Sequence, residues 1–146
     1  AMQWGIDTEP MARSAYEGAV GELAVETGFI PHHTIIMAGA SPDGLIGVDG
    51  LVEIKCPITA THIETLLGQS MPGQYVTQMQ WQMACTDRKW CDFVSYDPRM
   101  PENMQLFIKR VNRDDAVITE LEDEVIKFLG ELDQKVTQLR EKYDGV

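Results

Sequence analysis

The chain has 146 residues, of which 44% are hydrophobic and 24% are charged, a composition typical of one compact, soluble domain. It has no apolar run of about 18 to 20 residues, no signal peptide and no CxxC pattern, so we expect a protein of the reducing cytoplasm without a membrane span. The net charge of −11, taken alone, argues against a nucleic-acid partner, because phosphate binding usually depends on clustered Lys and Arg.

The first half of the chain is predicted to contain one helix and then three strands. Apolar side chains recur every four residues in the helical segment, and Pro10 suits a first turn. β-branched residues are enriched in the strand segments, and Asp49-Gly50 is typical of a hairpin turn. The predicted elements are a helix over residues 7–20 and strands over 27–30, 34–40 and 51–56.

The second half is predicted to contain helices and strands that end in a long amphipathic helix. Apolar residues at steps of three or four indicate the helices, and turn residues separate the strands. The predicted elements are helices over 59–68, 73–86 and 114–142 and strands over 90–96 and 104–111. We therefore expect an α/β fold in a single domain over residues 1–146, with a mixed central β-sheet of about five strands flanked by helices and a long C-terminal helix.

The hairpin segment 41–57 carries three acids and a lysine, of which Asp43, Glu53 and Lys55 suggest chemistry. Because side chains alternate along a strand, Glu53 and Lys55 share one face. A two-residue turn would aim Asp43 at the opposite face. A three-residue turn with Gly50 in the left-handed conformation would place Asp43 opposite Lys55 and diagonal to Glu53. The pattern leaves both turns open.

The three-residue turn would create a site for a hard cation. The carboxylates of Asp43 and Glu53 and the main-chain carbonyl of Ile54 are the oxygen ligands that Mg²⁺ and Mn²⁺ prefer. A metal there would polarise a phosphodiester and acidify water, while Lys55 would orient the water or stabilise developing charge. The alternative is a surface hairpin in which Asp43 pairs with Lys55 and Glu53 remains in solvent, an arrangement worth little energy.

Several stretches of sequence point to a nuclease family. Asp43 followed by Glu53-Ile54-Lys55 matches the PD-(D/E)xK pattern, and the wider segments are more specific. These segments are "WGIDTEPMARSAYE" at 4–17, "GASPDGLIG" at 39–47, "GLVEIKCP" at 50–57, "YVTQMQWQM" at 75–83 and "SYDPRM" at 95–100. In this order they resemble the phage lambda exonuclease family, also called YqaJ-type viral recombinases. The resemblance runs from about residue 2 to residue 142.

The resemblance implies a restriction-endonuclease-like PD-(D/E)xK core and a defined activity. Members of the family use Mg²⁺ to degrade one strand of double-stranded DNA from its 5′ end, and they leave a 3′ overhang for recombination. The resemblance makes Asp43 and Glu53 metal ligands together with the backbone carbonyl of Ile54, and it makes Lys55 the catalytic lysine. Glu9 matches a further active-site acid of the family, and Gln78 matches a glutamine that lines the site.

The resemblance also implies an assembly and a partner. Family members form homotrimeric rings around DNA ends and work with a phage single-strand annealing protein. They carry a preceding segment with an Arg/Ser/Thr pocket for the 5′ phosphate. We therefore expect that residues 1–146 lack an N-terminal segment of the full-length enzyme, and that this segment supplies basic groups to an otherwise acidic chain.

Alternatives to these assignments remain open from the sequence. Glu9 could serve only to complement a helix dipole, and Gln78 could be an ordinary polar residue of a helix. His32 and His33 could be metal ligands, although solvation in a loop is the simpler expectation. For the whole chain, the alternatives are an endonuclease or other end-trimming nuclease, and a non-catalytic domain that binds DNA ends.

Overall fold

The computed structural model describes residues 2–144, within which four α-helices and seven strands occur. The helices are α1 (Met2–Val20), α2 (Thr59–Gly68), α3 (Gly73–Thr86) and α4 (Asp115–Tyr143). The strands are β1 (Ala24–Val25), β2 (Ile30–Pro31), β3 (Gly39–Ala40), β4 (Gly44–Ile46), β5 (Gly50–Lys55), β6 (Trp90–Tyr96) and β7 (Leu106–Asn112).

Five of the strands form one mixed sheet in the order β1-β4-β5-β6-β7. β5 and β6 are parallel, and the other neighbouring pairs are antiparallel. A parallel pair needs a long crossover, which α2 and α3 provide between β5 and β6. The expected α/β fold, with its mixed five-stranded sheet and long C-terminal helix, is confirmed. Because β5 and β6 run in the same direction, their C-terminal ends lie at the same edge of the sheet.

The two faces of β5 pack against different helices. Val52 and Ile54 join a core cluster with Tyr16 of α1. Leu51 faces the other way and joins a cluster with Met79 and other residues of α3. This alternation places the sheet between α1 on one side and α3 on the other.

The turn between β4 and β5 has three residues, Gly47-Val48-Asp49, because Ile46 pairs with Gly50. Gly47 has a φ of 54° and provides the left-handed conformation that we expected at Gly50. Position 50 requires glycine for a different reason, since a Cβ there would lie 2.2 Å from the ring of Trp90. Of the two turns left open by the sequence, the three-residue turn is the one that forms, and it lies one residue earlier than considered.

The first helix begins at Met2, well before the predicted start at residue 7. Pro10 consequently lies inside α1 and not in its first turn, although proline removes the hydrogen bond to the carbonyl of Ile6. A distant residue stabilises the early turns, because the guanidinium of Arg99 lies 4.1 Å from the centre of the Trp4 ring. The local pattern could not reveal this contact.

The strands predicted over 27–30 and 34–40 are mostly loop. Only β2 and β3 remain of them, as a two-stranded ribbon outside the main sheet. The ring of His32 explains the interruption, because its Nδ1 accepts hydrogen bonds from the main-chain N–H groups of Thr34 and Ile35, each at 3.1 Å. A side chain that binds the backbone in this way favours a turn over a strand.

Candidate active site

Asp43 lies just before β4, beside the C-terminal half of β5. Gly44 pairs with Val52, so the hairpin places Asp43 next to Glu53 and not opposite Lys55 as expected. Asp43 Oδ2 accepts a hydrogen bond of 2.7 Å from the main-chain N–H of Ile54. The register differs from the predicted one by an even number of residues, which keeps the Asp43 and Glu53 positions on one face.

Glu53 is a buried carboxylate, only 3% exposed, with donors around both of its oxygens. The ammonium group of Lys55 lies 3.0 Å from Oε1. The amide of Gln78 donates to Oε1 at 3.3 Å, and the amide of Gln82 donates to Oε2 at 2.8 Å. The structure thus brings Glu53, Lys55 and Gln78 together, and it adds Gln82, which we did not predict. Gln82 follows Gln78 by four residues on a helix, a spacing that places both on one face.

Glu9 comes to the same region from α1 and is linked to it by Arg13. The guanidinium of Arg13 donates to Glu9 Oε1 at 3.3 Å and to the main-chain carbonyl of Asp43 at 2.7 Å. It also lies 3.1 Å from the position that a Cβ on Gly44 would occupy. Arg13 therefore connects two predicted site residues, although the sequence analysis did not single it out.

A cavity of about 340 Å³ opens at this edge of the sheet. Its walls include the predicted residues Glu9, Asp43, Ile54 and Lys55, together with Cys56. Glu53 lies behind this wall and reaches it through its ion pair with Lys55. Four of the predicted site residues thus line one cleft, and Glu53 and Gln78 adjoin it through the ion pair with Lys55 and the hydrogen bond from Gln78 to Glu53.

The carboxylates of the cleft influence one another. Burial, and then the charge of Glu53, raises the pKa of Asp43 to about 6, while the hydrogen bond from the Ile54 N–H opposes this change. Burial alone would lower the pKa of Lys55, but the charge and hydrogen bond of Glu53 hold the pKa above its ordinary value. Lys55 is therefore a cation at neutral pH, and Asp43 lacks full charge compensation.

The donor set of the cleft fits a divalent cation. Asp43 and Glu9 offer carboxylate oxygens in the wall of the cavity, Glu53 offers them beside it, and Ile54 also lines the cavity. Hard cations such as Mg²⁺ and Mn²⁺ prefer oxygen ligands of this kind. The raised pKa of Asp43 is consistent with this fit, because a bound cation would provide the charge compensation that Asp43 lacks.

A second group of possible metal ligands, His32, His33 and Glu122, lies between the loop after β2 and α4. His32 is buried, so the expectation that solvent surrounds this side chain was wrong, whereas His33 is exposed. His32 Nδ1 accepts two main-chain N–H groups, which assigns the ring proton to Nε2, where Glu122 accepts it at 2.5 Å. The ring also stacks on Trp81. These contacts describe a structural link between loop and helix.

Two further observations concern the class of protein. Within residues 2–144, no helix combines the length and apolar character needed to cross a membrane. The mixed sheet between α1 and α3, with Asp43 just before β4 and Glu53 and Lys55 in the C-terminal half of β5, defines a nuclease core of the PD-(D/E)xK class.

Comparisons with known proteins give the family. The YqaJ-like viral recombinase domain family matches residues 1–89, which contain every predicted site residue. A solved structure of an alkaline exonuclease, LHK-Exo from Laribacter hongkongensis, is 53% identical over 99% of this chain and 75% of that chain, with a TM-score of 0.98. The chain belongs to the YqaJ-like viral recombinase domain family, and it is a nuclease.

Other solved structures agree with this assignment. LHK-Exo in complex with dAMP is 53% identical over 99% of this chain and 74% of that chain, with a TM-score of 0.97. A phage-related exonuclease from Haemophilus somnus shares the fold at 18% identity, over 94% of this chain and 73% of that chain, with a TM-score of 0.75. A search of curated proteins gave no significant match.

Proposed function

We propose that this nuclease is a Mg²⁺-dependent exonuclease that degrades one strand of double-stranded DNA from 5′ to 3′ and leaves a 3′ single-stranded overhang. The observation that carries the proposal is the convergence of Asp43, Lys55 and Glu9 in one cleft, where Lys55 pairs with the buried Glu53 and Gln78 donates to Glu53. The 53% identity to an alkaline exonuclease supports the exonuclease class.

In this proposal, Asp43, Glu53 and the main-chain carbonyl of Ile54 hold the metal, with Glu9 as an additional acid. Mg²⁺, or Mn²⁺ in its place, supplies Lewis-acid polarisation of the phosphodiester when bound. Arg13 fixes the main chain of Asp43 and the carboxylate of Glu9. Gln78 and Gln82 orient the carboxylate of Glu53 through their amide groups.

Lys55 acts on the water and on the charge that develops at the phosphate. Its ammonium group stays protonated at neutral pH because it pairs with Glu53, and it lies 4.8 Å from the centre of the Tyr75 ring. A cation in a partly buried cleft stabilises negative charge more strongly than it would in open water. We assign to Lys55 the positioning of the attacking water and stabilisation of the negatively charged phosphate in the transition state.

The wider biological role follows from the family. We propose that residues 1–146 act as one nuclease domain in a homotrimeric ring on DNA ends, inside the cytoplasm of a bacterial host. Its partner would be a phage single-strand annealing protein that coats the exposed 3′ strand. The YqaJ-like recombinase match supports this role in recombination.

Digestion of labelled linear duplex tests the proposal. A 5′-phosphorylated duplex with a label on one strand should lose nucleotides from its 5′ end in Mg²⁺, while EDTA should stop the reaction. Closed circular DNA provides the control and should remain intact. Cleavage of closed circles would contradict an exonuclease and support an endonuclease, and loss of label from the 3′ end would contradict the proposed polarity.

A further inference from the structure

A second cavity, of about 230 Å³, lies beside the cleft and is lined by Trp4, Cys56, Ile58 and Arg99. Cys56 lines both cavities, so the second adjoins the first. The topology explains this position. Lys55 ends β5 and Tyr96 ends the parallel β6, so the residues that follow both strands lie at the same edge of the sheet.

The guanidinium of Arg99 is fixed on several sides. Its Nε donates to Asp97 Oδ1 at 2.8 Å, and its Nη2 donates to the carbonyl of Pro57 at 3.2 Å. Its face rests on the ring of Trp4, at 4.1 Å from the ring centre. Nη1 makes no hydrogen bond to any residue from 2 to 144. The group is therefore rigid and retains two N–H donors for a ligand.

The carboxylate that holds Arg99 is itself well defined. Asp97 is fully buried and accepts hydrogen bonds from Arg99 and from the hydroxyl of Thr59, the latter at 2.6 Å. Burial opposes ionisation, but these hydrogen bonds hold the pKa of Asp97 below its ordinary value. The ion pair orders Arg99 before a ligand arrives, so binding costs less side-chain entropy.

The charges around the two cavities indicate the ligand. Lys55 and Arg99 are the cations among the residues that line them, and Lys55 is already paired with Glu53. An acidic chain of net charge −11 that binds a polyanion needs specific cationic contacts. We propose that Arg99, held on Trp4, uses Nη1 to bind the DNA backbone phosphodiester adjacent to the one that is hydrolysed. This inference rests on the proposed function and adds a binding site to it.

Arg110 offers a matched control within the same chain. It stacks on Trp90 at 3.5 Å and pairs with Asp92 at 2.8 Å, and its side chain is 50% exposed, against 45% for Arg99. Asp92 is buried like Asp97. Arg110 does not line either cavity. It pairs with Asp92, which lies near the start of β6, whereas the cavities lie beyond the end of this strand. The two arginines thus share a structural role, and Arg99 alone is placed to bind a phosphate.

Binding of a linear duplex by Arg99→Gln and Arg110→Gln separates these roles. Affinity is measured by fluorescence anisotropy with a fluorescein-labelled duplex, in Ca²⁺ in place of Mg²⁺, over a series of salt concentrations, and a gel checks that the duplex stays intact. We expect both variants to unfold at lower temperature than the parent. We expect only Arg99→Gln to bind about tenfold more weakly, because it loses a charge-assisted hydrogen bond to phosphate. Its slope of log K against log salt should be shallower by about 0.9, the value for one lost phosphate contact.

Further variants keep the test decisive if Arg99→Gln does not fold. Arg99→Lys retains the charge without the planar fork and should bind with intermediate affinity and the parent's salt slope. Trp4→Leu removes the platform and should weaken binding less than Arg99→Gln does. If these two variants bind like the parent, the proposal is overturned.

Two comparisons decide which hypothesis fails. Parent-like affinity and slope in a folded Arg99→Gln, or an equal loss in Arg110→Gln, would overturn the phosphate site and leave the proposed function intact. No DNA binding by the parent would overturn both. A duplex with 5′-hydroxyl ends should show the same loss in Arg99→Gln, since a loss confined to 5′-phosphorylated ends would assign Arg99 to a terminal phosphate and contradict the proposal.

Discussion

Glu53 illustrates how a charged residue is accommodated in the core of this protein. An unpaired buried carboxylate would be very costly, but Lys55, Gln78 and Gln82 provide donors to both of its oxygens. The same donors fix the orientation of the carboxylate. The side-chain oxygen of Gln82 is buried without a hydrogen-bond partner in residues 2–144, so holding Glu53 in this orientation leaves one polar atom unsatisfied.

Replacement of Lys55 by Ala should abolish cleavage and preserve the fold. The variant loses the cation that positions water and stabilises charge, and we expect the rate to fall at least about 10²-fold. Glu53 keeps its two amide donors, so circular dichroism should show a folded protein. Lys89→Ala is the control, because Lys89 is 73% exposed and precedes β6 at the opposite edge of the sheet. A folded Lys55→Ala enzyme that digests duplex at the parent's rate would refute this role.

The raised pKa of Asp43 predicts how stability depends on pH in the metal-free protein. The folded pKa of about 6 exceeds the value of 3.8 for the free side chain, so the charged form is disfavoured by folding. The Asp43 carboxyl group therefore favours the folded state most below pH 3.8, and this contribution to stability is lost as pH rises through about 6. In EDTA at pH 8, we expect Asp43→Asn to melt about 2–4 °C above the parent, with a smaller difference at pH 5.

Metal binding should reverse the order of the two melting temperatures, so that the parent melts above Asp43→Asn. Mg²⁺ binds the folded parent and should raise its melting temperature, whereas Asp43→Asn has lost a ligand and should respond much less. Thermal unfolding with and without Mg²⁺ measures both effects. A parent that is less stable than Asp43→Asn in Mg²⁺, or a variant that responds to Mg²⁺ as fully as the parent, would argue against Asp43 as a ligand.

At the level of elements, the sequence predicted the long periodic segments well. α2, α3 and β6 begin and end where predicted, and β7 and α4 do so within two residues. The proximity of Asp43, Glu53 and Lys55 also followed from the sequence, because the three residues belong to one hairpin. Gln82 and Arg13 were missed, since their importance depends on which residues α3 and α1 meet after folding.

Short elements and turns were harder to predict for a physical reason. Asp49-Gly50 is a strong local signal for a two-residue hairpin turn, yet Gly50 is a glycine because Trp90 packs against its backbone. The identity of one residue can thus be set by a partner forty positions away. The buried ring of His32 similarly interrupts a segment that is rich in β-branched residues.

Two glycine substitutions should have opposite effects on stability. Gly50→Ala would place a methyl group against the Trp90 ring and should lower the free energy of unfolding by about 1–3 kcal/mol. Gly130→Ala lies on α4, where a Cβ meets no atom within 4 Å, and should raise it by about 0.5–1 kcal/mol. Urea denaturation of both variants measures the difference, and equal stabilities would show that contact with Trp90 does not restrict residue 50.

At the scale of the whole molecule, the parallel strands β5 and β6 bring the residues of the candidate site to the same edge of the sheet. The strands deliver Lys55 and Asp97 to one edge of the sheet, and α1 brings Glu9 and Trp4 to the same place. Acidic groups that suit a metal line the cleft, and Arg99 lines the adjoining cavity. The fold therefore places the proposed metal ligands and the proposed phosphate contact beside one another at one edge of the sheet.

The proposed homotrimer predicts the mass of the protein in solution. Sedimentation equilibrium of the active enzyme should give about three times the mass of its single chain, a mass that is 16.4 kDa for residues 1–146. A ring binds its substrate by enclosing it, so dilution below the association range should also reduce processive digestion. An active enzyme with the mass of one chain would contradict the ring and leave the chemistry of the cleft unaffected.

The thiol of Cys56, in the wall between the two cavities, has a consequence for handling the enzyme. Burial, together with the nearby acids, raises its pKa to about 11, and burial also raises the pKa of Cys85 to about 11 and that of Cys91 above its ordinary value. Alkylating reagents attack the thiolate, which is scarce at neutral pH under these conditions. The nuclease should therefore retain its activity in iodoacetamide and need no reducing agent, and mass spectrometry should find Cys56 unmodified. Rapid alkylation of Cys56 with loss of activity would contradict this expectation.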